Sequence, residues 1–210
     1  TFEQLQAVTD AFVVSLLSAK VTSINLAYCR YITDLCVKAI AAKCHALVSL
    51  NVAGCAALTD EAVMAIAANC PALASLNVPD CTELTDESIK AIAASCPALE
   101  FLDVSRCKLS DEAIKAIAAN CPALKFLDIQ ECVLTDEAIK VIAKNCPALM
   151  SLRVWGCVAL TDESIKAVAV HCPLLTSLNV NSCVALTDDS IKAIAVNCHA
   201  LESLSAGGCA

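Results

Sequence analysis

A strand-like pattern opens each repeating segment of the chain. In residues 47–55, Leu50 and Val52 alternate with the small or polar residues Ser49, Asn51 and Ala53. This two-residue period is typical of a half-buried β-strand, in which successive side chains point to opposite faces. The segment therefore predicts a short strand with one apolar face.

A helix-like pattern closes each segment. In residues 134–149, Ile139 and Ile142 fall at helical spacing on one apolar face. Thr135 is a suitable N-cap, and the two acidic residues that follow it lie where the helix dipole favours negative charge. Pro147 cannot continue a helix, so the Cys-Pro step before it predicts the helix end. Each segment is therefore expected to contain one strand and one helix.

The strand and helix patterns recur at a nearly constant period. Units open at Val21, Leu47, Leu73, Leu99, Leu124, Leu149, Leu175 and Leu201, with steps of 26, 26, 26, 25, 25, 26 and 26 residues. Residues 21–210 thus form an array of seven full units and a terminal half unit. Residues 1–20 are interpreted as a degenerate N-terminal capping unit, because Thr9 and Asp10 stand where Thr33 and Asp34 stand in the next unit.

Units of this size cannot bury their own apolar faces, so stacking is expected. Consecutive strands then run parallel with each helix as a crossover, and such crossovers are almost always right-handed. Strands pack about 4.8 Å apart, whereas a helix with its side chains is about 10 Å across. The fold class predicted is α/β, a right-handed solenoid shaped as a horseshoe, with a concave parallel sheet and convex helices.

The repeated pattern resembles the cysteine-containing class of leucine-rich repeat. The resemblance rests on three repeated features over about residues 21–210: the strand segment with its following Cys, the Thr-Asp-Glu helix start and the Cys-Pro stop. That class occurs in substrate receptors of F-box ubiquitin ligases and in relatives without an F-box. The resemblance implies a ribonuclease-inhibitor-like horseshoe and a protein-binding role. Residues 1–20 do not match an F-box, and the close likeness of the units suits recent duplication or consensus design.

Charge and hydropathy narrow the classes of partner. The net charge is -8 and the pI about 4.8, so phosphate backbones would repel the chain and nucleic acid is not expected as a partner. The sequence contains no run of about 18 apolar residues, so no membrane span is predicted. The first residues lack the basic flank of a signal peptide. The expected partner is therefore a protein.

The sixteen cysteines keep the repeat register with one exception, Cys36. One column follows the strands and another ends the helices, and no Cys-x-x-Cys pair suggests a zinc site. We interpret them as buried free thiols, which predicts a reducing, cytoplasmic location. The adjacency of His171 and Cys172 suggests thiol catalysis as an alternative, but no third orienting group is evident. The chain is not expected to be an enzyme, and no metal or cofactor is predicted.

The units differ most at the outward-facing strand positions. The end units carry Ser and Asn there, whereas the middle units carry Phe, Asp, Arg and the only Trp. Exposed aromatic residues and arginines are typical of protein interfaces. The predicted partner-binding residues on the concave face are Phe101, Asp103, Arg106, Phe126, Asp128, Gln130, Glu131, Arg153 and Trp155.

Two alternatives stay open at this point. Phe101 and Phe126 could simply stack on each other, with Arg153 and Lys125 neutralising the nearby acids. Alternatively, the chain is a structural or designed scaffold without a specific ligand, which self-associates through an uncapped C-terminal edge, because no helix pattern follows the last strand.

Overall fold

Helices and strands alternate regularly in the computed structural model, which describes residues 8–209. The helices are α1 (Asp10–Leu16), α2 (Asp34–Lys43), α3 (Asp60–Asn69), α4 (Asp86–Ser95), α5 (Asp111–Asn120), α6 (Asp136–Asn145), α7 (Asp162–His171) and α8 (Asp188–Asn197). The strands are β1 (Ser23–Asn25), β2 (Ser49–Asn51), β3 (Ser75–Asn77), β4 (Phe101–Asp103), β5 (Phe126–Asp128), β6 (Ser151–Arg153), β7 (Ser177–Asn179) and β8 (Ser203–Ser205). The predicted alternation of one strand and one helix per unit is confirmed.

All of these strands form one open parallel sheet in chain order, β1 to β8. Equivalent residues of consecutive units are directly paired, as in Ser49 with Ser75 and Leu50 with Leu76. Helices α2–α8 are the crossovers between neighbouring strands, and each helix lies beside the helices that precede and follow it in the chain. The predicted α/β solenoid is confirmed, with the narrower strand layer on the inner side of the curve.

The repeated Thr-Asp and Cys-Pro steps mark the helix boundaries. The Thr135 hydroxyl oxygen accepts a hydrogen bond from Glu137 N at 3.3 Å, as expected of an N-cap. At the other end Cys146 N donates to Ile142 O, and Pro147 follows directly. Helices α2–α8 all begin after a capping Thr, or Ser110 in α5, and end at a Cys. His45 and His199 replace the proline after α2 and α8, and the predicted boundaries are confirmed.

In helices α1–α7, the aspartate that opens the helix also binds the next unit. Asp34 accepts from Thr59 N at 2.9 Å and from the Thr59 hydroxyl at 2.6 Å. The same pair of bonds joins Asp10 to Thr33, Asp60 to Thr85, Asp86 to Ser110, Asp111 to Thr135, Asp136 to Thr161 and Asp162 to Thr187. We call this series the Asp–Thr ladder. The sequence indicated only the dipole role of these carboxylates.

Helix α1 takes part in the ladder through Asp10, although Thr9 makes no side-chain cap. Residues 1–7 of the predicted capping unit lie outside the described residues. The division into a capping unit at 1–20 and an array at 21–210 therefore stays a prediction.

The core is a continuous column of apolar layers between sheet and helices. In one unit Leu50, Val52, Leu58 and Ile66 are each fully buried. The equivalent residues of its neighbours are buried in the same way, so each unit covers the next. Over residues 8–209 no helix is long and apolar enough to cross a membrane.

Candidate functional site

Two aromatic rings stack on the outward face of the sheet. Phe101 in β4 and Phe126 in β5 are directly paired, with ring centroids 4.1 Å apart and planes inclined by 3°. Both side chains are half-buried. The equivalent positions on either side are Ser75 and Ser151. The pair is therefore a small apolar platform with serines at both ends.

Two aspartates follow the phenylalanines on the same strands. Asp103 accepts from Ser105 N at 3.0 Å and from the Ser105 hydroxyl at 2.8 Å. Asp128 accepts from the Gln130 side-chain amide at 2.8 and 2.6 Å, and Arg153 Nη1 lies 3.6 Å from it. Burial and the neighbouring Asp103 carboxylate raise the pKa of Asp128. Asp128 thus carries a charge that its surroundings disfavour.

The burial of Asp128 differs from the exposed column that the sequence indicated. The residue is only 2% exposed. The reason is local, because the Gln130 amide and the Arg153 guanidinium both lie against its carboxylate. The Gln130 amide and the Arg153 guanidinium therefore lie between the Asp128 carboxylate and the solvent.

Arg153 joins the acidic and aromatic parts of the site. Besides its contact with Asp128, its guanidinium carbon lies 5.2 Å from the centroid of the Phe126 ring. This is within the range of a cation–π interaction. Its side chain keeps 46% of its surface exposed, so it remains accessible to a partner.

The turn after each strand contains one residue in the left-handed backbone region. Glycine holds this position in some units, with φ of 67° at Gly54 and 72° at Gly156. Asp80, Arg106 and Glu131 hold it in three consecutive units, with φ of 60°, 59° and 55°. Side chains other than glycine cost energy in this conformation. Three charged residues therefore occupy positions that the backbone alone would give to glycine.

These three residues form one ion-pair network. Arg106 lies 3.5 Å from the Asp80 carboxylate and 3.2 Å from the Glu131 carboxylate. Both partners hold the pKa of Arg106 above its ordinary value, Glu131 more strongly. Asp80 is not among the residues predicted from the sequence, although it stands at the same repeat position as Arg106 and Glu131. That shared position is the signal by which Asp80 could have been found.

Trp155 completes the site in the turn that follows β6. Its indole N–H donates to the Ser182 hydroxyl at 3.2 Å. The guanidinium carbon of Arg106 lies 5.8 Å from its ring centroid. Gln130 and Trp155 thus lie in turns just beyond the three-residue strands, not within the strands as the alternation suggested.

Contacts link most of the predicted residues across neighbouring units. One chain of contacts runs from Phe101 through Phe126 and Arg153 to Asp128 and Gln130. Another runs from Asp80 through Arg106 to Glu131 and Trp155, and Asp103 pairs with Asp128 in the sheet. We call the set the central patch: Asp80, Phe101, Asp103, Arg106, Phe126, Asp128, Gln130, Glu131, Arg153 and Trp155.

The alternative in which the patch residues serve only each other is confirmed for some contacts and not for others. Phe101 and Phe126 do stack, and Arg153 does contact Asp128. Lys125 instead pairs with Glu100 at 2.8 Å, away from the two aspartates. The internal contacts therefore balance Asp128 and leave Asp103 without a basic partner within 4 Å among the described residues.

The thiols are buried and held against backbone carbonyls of preceding units. Cys55 Sγ, for example, lies 3.3 Å from Leu26 O. Burial raises the pKa of Cys55 to about 12 and that of Cys172 to about 12, which disfavours the nucleophilic thiolate. All sixteen cysteines are free, and every one except the half-buried Cys209 is buried.

The histidines beside helix-end cysteines are exposed. His171 adjoins Cys172 in the chain, yet the imidazole is exposed whereas the thiol is fully buried. The two groups therefore face different surroundings. Within residues 8–209, no group of three or more His, Cys, Asp or Glu side chains is placed to hold a metal ion.

Comparison with known families identifies the repeat. A family model described as "Leucine Rich repeat" matches residues 43–67, 95–118, 120–143 and 171–195. These four segments are leucine-rich repeats. The matched segments include the units that carry Phe101 and Phe126, whereas Asp80, Arg153 and Trp155 of the central patch lie between matched segments.

A solved structure of the Rad7 and Elc1 complex in yeast resembles this chain. The likeness has a TM-score of 0.41 and 20% sequence identity, and it covers 96% of this chain and 73% of that chain. A likeness of that size says nothing about the partner of this protein. A comparison with curated proteins finds no match.

Proposed function

We propose that this protein binds another protein through the central patch on its concave face. One observation carries the proposal. Phe101, Phe126, Arg153 and Trp155 occupy repeat positions that Ser, Asn or small residues hold in the flanking units. Aromatic side chains and arginines supply most of the binding energy in protein interfaces. Their concentration in consecutive units favours a contact site over a solvated face.

The contacts within the patch support rigid binding. Stacking holds Phe101 and Phe126, the Ser182 hydroxyl holds Trp155, and two carboxylates hold Arg106. Side chains that are already ordered lose less entropy when a partner binds. The patch can therefore present its anchors without rearrangement.

The patch also contains features that a purely structural face would avoid. The Asp128 carboxylate is buried beside a second aspartate, and its pKa is raised. Arg106 and Glu131 take a backbone conformation that glycine would adopt at lower cost. Unfavourable features of this kind cluster at functional sites, which supports a binding role.

The proposal is for a non-catalytic protein. Burial raises the pKa values of the thiols, so they are poor nucleophiles. The net charge of -8 disfavours nucleic acid as the partner. Since the cysteines are free, we expect the protein to act in a reducing compartment such as the cytoplasm.

Paired affinity capture from a lysate of the source cell, read by mass spectrometry, tests the proposal. One bait is the parent chain and another carries Phe101→Ser, Phe126→Ser and Trp155→Asn, which restore residue types of the flanking units. A matched control carries Met64→Ser, Val170→Ser and Val196→Asn on exposed helix positions. We expect a partner that the parent and the control retain and the patch variant loses.

Circular dichroism and thermal melting must first show that all three baits are folded. A partner retained equally by all three folded baits would contradict the assignment to the central patch. A partner lost only from the control bait would move the site to the helix face.

Self-association through the C-terminal edge is the second candidate. In the described sheet β8 is an edge strand, and Leu204 is 39% exposed whereas Leu178 is 1% exposed. Sedimentation over a wide concentration range tests this candidate. A strict monomer at high concentration would contradict it.

A further inference from the structure

Asn77, next to the central patch, has a buried acceptor without a donor. In the preceding units Asn25 accepts from Ala27 N and Asn51 accepts from Ala53 N, each at 3.0 Å. The residue that would donate to Asn77 is Pro79, which has no N–H. Asn77 Oδ1 is accordingly buried with no hydrogen-bond partner among the described residues. A buried acceptor left in this state costs free energy.

Asp103 lies directly beside Asn77 in the sheet and needs a positive partner. The two residues pair between β3 and β4. One Asp103 oxygen accepts both bonds from Ser105. The nearby basic residues are engaged elsewhere, since Arg106 pairs with Asp80 and Glu131, and Arg153 contacts Asp128. The second Asp103 oxygen has no such partner among residues 8–209.

The Phe101 ring has one face covered by an aromatic ring and the other bordered by a serine. Along the sheet the order is Ser75, Phe101, Phe126 and then the guanidinium of Arg153. A serine is too small to cover an aromatic face. The same strand pair therefore combines an aromatic face, a carboxylate and an unpaired amide oxygen.

We infer that the partner inserts an arginine side chain here, with its guanidinium stacked on Phe101 and donating to Asp103 and Asn77. This rests on the proposed concave site and adds the chemistry of its anchor. In the described part of the chain, Asn77 Oδ1 has no donor and Asp103 has no basic partner. A guanidinium offers five N–H donors in a plane that also stacks on aromatic rings. Lysine offers a point charge without that plane. The excess negative charge of the chain further favours a basic partner segment.

The Asn77 amide turns to meet the ligand. Its oxygen is buried, although the residue as a whole is only half-buried. The terminal amide torsion of asparagine is broad. Rotation about this torsion can therefore bring the Asn77 oxygen to the concave surface.

A displayed library of random linear peptides is the probe. The baits are the parent, Asp103→Asn, the patch variant with Phe101→Ser, Phe126→Ser and Trp155→Asn, and Glu87→Gln as a charge-matched control on an exposed helix position. We expect the parent and Glu87→Gln to select arginine-containing peptides that the Asp103→Asn and patch variants do not retain. Replacing the selected arginine by lysine or citrulline should weaken binding by about tenfold or more.

The outcomes separate this inference from the proposed function. Peptides that depend on the patch but contain no preferred arginine, or that tolerate lysine equally, would overturn the inference and leave the binding site in place. Selected peptides that bind the patch variant as well as the parent would overturn both.

Pro79→Ala gives a second test that leaves the charges and rings untouched. It supplies the missing N–H, as at Ala27 and Ala53, so Asn77 would be satisfied within the chain. The affinity for an arginine peptide should fall about fivefold, the loss of one neutral hydrogen bond. An unchanged affinity would exclude Asn77 from the contact and overturn the inference in this form.

Discussion

At the scale of single residues, two side chains of the central patch are in conformations or surroundings that cost free energy of folding. Asp128 keeps its charge in a buried position beside Asp103, and its pKa is raised. Arg106 stacks over Trp155 from a backbone conformation that disfavours side chains. Several other units of the array carry Asn or Ser at the position of Asp128 and Gly at that of Arg106, and these residues avoid the costs.

Asp128→Asn should raise the free energy of unfolding at neutral pH, because burial and the neighbouring Asp103 carboxylate disfavour the ionised folded form and raise the pKa of Asp128. The gain should be full above the raised folded pKa of Asp128. It should disappear as the pH falls through that value towards the ordinary aspartate pKa of about 3.9. Urea denaturation at several pH values measures this, with the exposed Glu202→Gln as control. A variant that is less stable at neutral pH would mean that the bonds from Gln130 and Arg153 outweigh the burial cost.

At the scale of the element, the helix N-terminus is also the joint between units. The aspartate of one helix accepts two hydrogen bonds from the N-cap of the next, so capping and stacking depend on the same side chain. For Asp60, burial raises the pKa but the bonds from Thr85 outweigh it, and the net pKa is lowered. A lowered pKa means stabilisation that is lost as the pH falls through the folded value.

Asp111→Ala should lower the free energy of unfolding by about 1–2 kcal/mol, because Thr135 loses both acceptors. Glu112→Ala, one residue along the same helix, is the matched comparison. Glu112 pairs only with the exposed Lys115, and surface pairs contribute little. Chemical denaturation of both variants measures the difference. Equal effects would show that dipole charge, not the inter-unit bonds, is what Asp111 contributes.

The elements were predictable from sequence because their boundaries are marked by chemistry that repeats. Thr135 and Pro147 each have a strong local preference, and the same preferences recur in nearly every unit. The site was predictable only as a set of unusual residues. Asp80 was missed because its role depends on a left-handed turn, a position that Tyr28, Gly54 and Ser182 occupy elsewhere. The burial of Asp128 depends on how two longer side chains fold over it, which spacing alone does not encode.

At the scale of the whole molecule, two columns of thiols run the length of the core. Their sulfur atoms contact carbonyls of preceding units, so each thiol is shielded only while its neighbours remain stacked. Thiol reactivity is therefore a measure of stacking across the array. Among the described residues, contacts of this kind are made by every cysteine of the two columns except Cys29.

Alkylation of the native protein near neutral pH should label Cys209 first, since it alone is half-buried. The remaining thiols should react only as fast as units open, because burial removes access and raises pKa values such as that of Cys157, to about 12. Intact-mass spectrometry before and after urea should count about one fast label and then sixteen. A second fast label in the native state would identify an activated cysteine and contradict the non-catalytic proposal.

The Asp–Thr ladder has a consequence for how such an array changes length. Each Thr-Asp dipeptide supplies both halves of the joint, the donors towards the preceding unit and the acceptor towards the following one. A copied or deleted block of one period therefore restores every joint with the same atoms. Gene duplication can lengthen or shorten this protein one unit at a time without passing through an unjoined intermediate, and the central patch can drift in sequence while its frame is preserved.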